Sequence, residues 1–366
     1  MSDGPKCCFR SAKKIGFQNK FCNWADAFQS PNFINTPTLA ASYFKIVIMT
    51  KILKISILLT FASIGRTYAT TWDEPWANKV IKEASSFVLA KIISTKPDKG
   101  IRIFVLKTLG GIKLTDTLLI DNFYLLHLCS RSSGHDAEFN TQGIDTCYFF
   151  LKQNSENQFC IATPTTGFDY VSDGKVAATF RHSYHQAAVP SVIYEKAMSA
   201  VFNNYHNLEY DTAFIKQFVI ENLNKSPAGF GKEEIGLFFL QHVALECIYH
   251  LKLNIDETLP LPFLDDKNNF HSQVSAARAM ISFDTESNRM ALLRAIGDTT
   301  KRNFVRVMCV WSIGELKPTK YKTSLLELER TASDETDNFG GDFMDPRVCT
   351  YVPNLKKSLH DLVEKL

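Results

Sequence analysis

"SSFVLAKIISTKPDKGIRIFVLKTLGG", residues 85–111, holds two apolar, β-branched runs of strand length, 85–94 and 100–111, joined by "KPDKG". Pro and Gly in the joint suit a hairpin connection, so the stretch reads as two neighbouring strands. The rhythm continues in "DTLLIDNFYLLHLC" (116–129), "CYFFLKQ" (147–153), "QFCIATPT" (158–165) and "KVAATFRH" (175–182), with turn-rich pieces such as "QNSENQ" between them. Five or six strands of this size predict a small antiparallel β barrel or sandwich over residues 70–186, because closing a sheet removes its exposed edges. Ahead of it, "WDEPWANKVIKEAS" (72–85) fits a short amphipathic helix beside the sheet.

From residue 187 the hydrophobic period lengthens. "AAVPSVIYEKAMSAVFNNYHN" (187–207), "DTAFIKQFVIENLN" (211–224) and "KEEIGLFFLQHVALECIYHLKL" (232–253) carry apolar residues three and four apart, which predicts helices, with Asp211 as a cap. A Pro-rich break, "LPLPFLDDKNNF" (259–270), precedes four shorter helical segments. Shifted by 31 positions, Val274, Ala276, Ala277, Ala279 and Met280 align with Val305, Val307, Met308, Val310 and Trp311; in the segment that follows each, Leu292–Leu293 is answered 33 positions on by Leu325–Leu326. Small or apolar residues in one helix and a Leu pair in the next are what stacked helical hairpins require. The fold class expected is therefore α+β, a small barrel followed by an all-α stack at 187–366.

Two resemblances sharpen this. "VSAARAMISFDTESNRMALLRAIGDTTKRNFVRVMCVWSIGEL" (274–316), with the segment that follows it, resembles HEAT-type helical repeats, although Ile296 meets Glu329 at the matching position. "SSFVLAKIIS" and "GIRIFVLKTLGG", with the turn at Lys107, Gly110 and Gly111, resemble the opening strands of netrin-like (tissue-inhibitor-of-metalloproteinase-like) OB barrels of exported bacterial proteins. That resemblance implies an OB-like barrel. In the inhibitors a Cys at the mature N-terminus reaches the protease metal; here no Cys precedes Cys129 after residue 69, which argues against that mechanism.

Export is read from "MTKILKISILLTFASIGRTYA" at 49–69. Lys51 and Lys54 form a basic start, Ile55–Ile64 an apolar core, and Thr67 and Ala69 the small residues of a cleavage site. The apolar run is about half of the roughly 20 residues that a membrane span needs. Residues 1–48 show no sustained period and read as a spurious or disordered extension ahead of a true start at Met49. Removing residues 1–69 changes the formal charge from +3 to 32 basic against 36 acidic side chains, or −4. No Lys/Arg run that tracks phosphates remains, so a nucleic-acid partner is not expected.

The remaining chain keeps six cysteines. In an oxidising compartment Cys129 and Cys147, flanking a polar loop, are the candidate disulfide; Cys247 and Cys309, inside helical patterns, read as buried free thiols. "FRHSYHQ" places His182 and His185 three apart; on a helical turn they would share a face and, with His135, could hold zinc. Hydrogen bonding at the junction of barrel and helices is the competing account of the same residues. His242, Glu246 and His250 recur every four residues along one helix but lack the HExxH order, so a helix packed on one side, with these residues as a polar stripe, is expected there. No nucleophile elbow or phosphate loop is present in the sequence. The expected function is an exported, secreted or periplasmic, protein-interaction module with no catalytic residues, no cofactor and no membrane span in the mature chain. The alternatives are a zinc-dependent hydrolase centred on His182 and His185, and an extracellular protease inhibitor.

Overall fold

A computed structural model describes residues 77–96, 100–121, 127–130, 134–138, 145–161, 167–180, 185–335 and 353–366. The extension at 1–48, the segment at 49–69 and His182 lie outside the described residues. The fold is α+β, a closed five-strand barrel with extra strands followed by helices.

Helix α1 (Ala77–Glu83) leads into β1 (Ser86–Lys96) and β2 (Gly100–Gly111), which pair antiparallel as a long hairpin. The barrel is completed by β3 (Thr117–Ile120), β6 (Thr146–Gln153) and β7 (Phe159–Ile161). Its circular order is β1-β2-β3-β7-β6, closed by pairing of β1 with β6. Three register shifts along β1 and β2 let the long hairpin bend enough to close. One pairing departs from the expected antiparallel pattern: β3 and β7 run parallel where Ile120 meets Phe159.

The interior follows from strand alternation. Val88, Ala90, Ile101, Ile103, Val105, Ile120, Cys147, Phe149, Leu151 and Phe168 fill the barrel. Their neighbours Phe87, Tyr148 and Phe150 point the other way, into a second and larger core shared with the helices. Phe87 stacks on Phe150 at 4.5 Å between ring centroids, and Tyr148 lies 4.7 Å from Tyr194 of the first long helix. Burial on both faces over residues 86–90 of β1 and 147–151 of β6 accounts for the near-continuous hydrophobic runs there.

Beyond the barrel, β6 divides one edge between two partners. Residues 151–153 pair with β7, and residues 147–149 with β8 (Phe168–Ser172). β9 (Lys175–Phe180) and β10 (His185–Pro190) extend that wing antiparallel, while β4 (His127–Ser130) and β5 (Gly134–Glu138) form a separate ribbon. Three stretches thus differ from the sequence expectation. β8 lies in the expected loop "TPTTGFDYVSDGK", β5 lies in the expected polar loop, and β10 occupies the expected first helical turns. The expected boundary at 186/187 falls inside β10.

The helices are α2 (Ser191–Tyr205), α3 (Thr212–Leu223), α4 (Ile235–Leu251), α5 (Leu261–Leu264), α6 (Phe270–Ala279), α7 (Glu286–Gly297), α8 (Asn303–Glu315), α9 (Lys322–Thr331) and α10 (Leu355–Val363). Asp211 caps α3 by accepting from the Phe214 amide at 3.0 Å, as its place in the sequence indicated. Asn269, Thr285 and Asn354 cap α6, α7 and α10 in the same way. α4 is buried on nearly every side, which is why its sequence is apolar all round. It ends at Lys252, whose left-handed φ of 48° stops the helix. Among the described residues no helix is long and apolar enough to cross a membrane.

Candidate functional site

Three places collect chemistry-bearing or unusually exposed side chains. The first is on α4. A spacing of four residues sets His242, Glu246 and His250 along one side of this helix. That side is buried against α2 and α6, so the expected surface stripe is instead an internal polar cluster. His242 Nδ1 lies 2.9 Å from Ser275 Oγ on α6. His250 Nδ1 lies 2.9 Å from the Tyr205 hydroxyl at the end of α2, and its Nε2 is 3.7 Å from Glu246 Oε2. The Arg278 guanidinium stacks 3.8 Å over the Tyr249 ring.

Burial dominates the electrostatics. It pushes the Glu246 carboxyl up, against the opposing pull of the Arg278 charge, the His250 charge and a Ser275 hydrogen bond. Burial likewise raises Tyr205, reinforced by Tyr249 and Glu246 and opposed by Arg278. His242, Glu246 and His250 are 2 %, 1 % and 4 % exposed, so a substrate has no route to them in this packing. The arrangement orders three helices against one another.

The second place is the seam between barrel and helices, a groove of about 260 Å³ lined by Lys107, Leu109, Glu195, Lys196, Asn203 and Phe214. Lys107 Nζ pairs with Glu195 Oε2 at 2.6 Å, and the Tyr148 hydroxyl donates to Glu195 Oε1 at 3.1 Å. Lys196 sits 3.8 Å over the Phe214 ring. These groups are already engaged with one another, tying β2 and β6 to α2. Gly110 allows the close approach, since a Cβ there would meet the Phe202 ring at 2.5 Å.

The third is the outer wall of β1, β2 and β3. In β2, Ile101, Ile103 and Val105 point inward, while Arg102, Phe104 and Leu106 point outward. Lys91 stands opposite Phe104 on β1, and Leu119 stands opposite Arg102 on β3. Ile93, Phe104, Leu106 and Leu119 are between 44 % and 52 % exposed.

The sequence-predicted site residues fare differently. His185 stands on β10 opposite Phe180 and not on a helical turn; His135 stands on β5 opposite Cys129 of β4. Their side chains and that of Cys129 lie outside the described residues. Cys147 is buried inside the barrel, and no disulfide pair is seen among the described residues. Cys247 and Cys309 are buried free thiols. Among the described residues no group of three or more His, Cys, Asp or Glu is placed to hold a metal ion. Sequence reading missed Tyr205, Ser275 and Arg278, which join the α4 cluster only through helix packing. It also missed the wall, for which a signal existed: the outward positions 104 and 106 are as apolar as the inward ones.

No protein family, curated protein or solved structure matches the chain.

Proposed function

We propose that the protein is an exported protein-interaction module without catalytic activity, built from an OB-like barrel and a HEAT-like helical stack. The observation that carries the reading is the sealing of His242, Glu246 and His250 behind α2 and α6, which reserves the richest polar cluster described for packing. Closure of five strands with a single parallel pairing, β3 with β7, supports the OB-like part. Support for the HEAT-like part comes from burial at matched positions. Val274, Ala276, Ala277, Ala279 and Met280 of the first unit are buried, as are Val305, Val307, Met308 and Val310 of the second. Trp311 is only partly covered, and Leu326 is more exposed than Leu293. Both architectures serve mainly as binding platforms, which is an argument from fold alone.

The test is covalent cross-linking in the exporting cell, followed by purification and intact-mass analysis. A stoichiometric protein partner on a product that begins near Thr70 is the expected result. A product that retains Cys7 rejects export. Hydrolytic activity that a chelator abolishes, and that His185→Ala removes, favours the zinc hydrolase instead.

A further inference from the structure

The stretch "HLCSRSSGHDAE" (127–138) sets His127, Cys129, His135, Asp136 and Glu138 within twelve residues, all of kinds that hold transition metals. The backbone folds it into the β4–β5 ribbon, whose antiparallel register puts His127 opposite Glu138 and Cys129 opposite His135. Residues directly opposite in such a pair belong to one face, with Cβ atoms about 5 Å apart, and residues two apart along a strand share that face. His127 and Cys129 are two apart. Four positions of ligating type therefore come to one face as two neighbouring cross-strand pairs.

A bulge creates this arrangement. The register runs evenly from His127–Glu138 to Leu128–Ala137 and then shifts, so that Cys129 meets His135 and Asp136 is the extra residue. Without the shift His135 would oppose Ser130 and belong to the other face. The ribbon also lacks other support in its sheet: strands of four and five residues pair with each other and, among the described residues, with no further strand. A lone hairpin of that size is marginally stable at best in water. A metal ion bound across it supplies what is missing, because its binding free energy becomes folding free energy. One thiolate, two imidazoles and a carboxylate suit Zn²⁺ in tetrahedral coordination, and four protein ligands leave no open position for a substrate. We infer that the β4–β5 ribbon is a structural zinc site formed by His127, Cys129, His135 and Glu138. Cys129 binds as the thiolate and its proton passes to solvent. The site is separate from the hydrolase alternative at His182 and His185, and it does not depend on the protein partner proposed above.

The protein purified from the cell that makes it, stripped with a chelator and titrated with zinc alone, tests this. One equivalent per chain should bind with a dissociation constant below about 1 μM, as structural zinc sites do. Cobalt put in place of zinc should show the visible bands of a tetrahedral ion and a thiolate-to-metal charge-transfer band. Cys129→Ser should remove the charge-transfer band and weaken zinc binding at least tenfold. His135→Ala should weaken it by a similar factor, whereas His185→Ala, outside the ribbon, should leave it unchanged. Circular dichroism of the helices identifies the folded variants, and the titration of the unaltered chain needs no variant. A stripped chain that takes up no zinc overturns the inference, as does a cobalt form without the thiolate band. So does zinc binding that survives Cys129→Ser combined with His135→Ala, or mass mapping that finds Cys129 in a disulfide.

Discussion

At the scale of single residues, burial acts on Glu246 more strongly than either neighbouring charge. The unfolded chain releases this proton in the ordinary carboxyl range, whereas the folded chain holds it to higher pH. Its contribution to stability is therefore complete below the unfolded pKa and is lost as pH rises through the folded one. Glu246→Gln keeps the shape and carries no proton to lose. The melting temperature of the wild type should consequently fall relative to Glu246→Gln as pH is raised from about 4 to about 8; parallel melting curves for the two proteins would remove burial as the governing cause. Burial also pushes the Cys247 and Cys309 thiols up to about 12. Neither should be alkylated in the native protein at neutral pH, and both should react after denaturation, which mass spectrometry of iodoacetamide-treated samples reads directly.

Elements carry the next set of consequences. Asp211→Ala should cost about 1 kcal/mol in urea unfolding, because it frees the Phe214 amide at the start of α3. Gly111→Ala should cost more than that. The residue has a φ of 77°, and an added Cβ would run into the Ser85 carbonyl oxygen. Five of the barrel runs and every helix from α2 to α9 except short α5 were legible in the sequence, because their periodicity is set by burial on a regular face. β8 was hidden because Asp169 interrupts its apolar pattern. That carboxylate is buried and accepts from the Tyr194 hydroxyl at 2.6 Å, a partner 25 residues away that no local pattern announces. β10 was hidden because Ala187 and Ala188 favour a helix on their own, and only pairing with β9 holds them extended. The α4 stripe was found in sequence with the wrong surroundings. Spacing gives the side of a helix on which residues lie, but not what covers that side.

For the whole molecule, the controlling fact is that the larger core runs without interruption from Phe87, Tyr148 and Phe150 of the barrel to the helices. Barrel and helices belong to one compact unit. Phe87→Ala should therefore cost about 3–5 kcal/mol, and the loss should appear together in both parts. Hydrogen exchange at Ile103 in the barrel and at Val274 in the helices is the measurement. Equal loss of protection at both sites is expected, and a barrel that opens while the helices stay protected would contradict a shared core. Expression of residues 70–190 alone should give a chain that fails to fold stably, since it would expose the outward aromatic side chains of β1 and β6.

Pro190 ends β10 and Ser191 begins α2, so sheet and helix meet with no residue between them. Ser191 donates both its amide and its hydroxyl to the Gly174 carbonyl oxygen. A joint without slack forbids swivelling. Whatever seizes the barrel wall and whatever seizes the helical layer are held at a fixed spacing and angle, and tension applied to one is delivered undamped to the other.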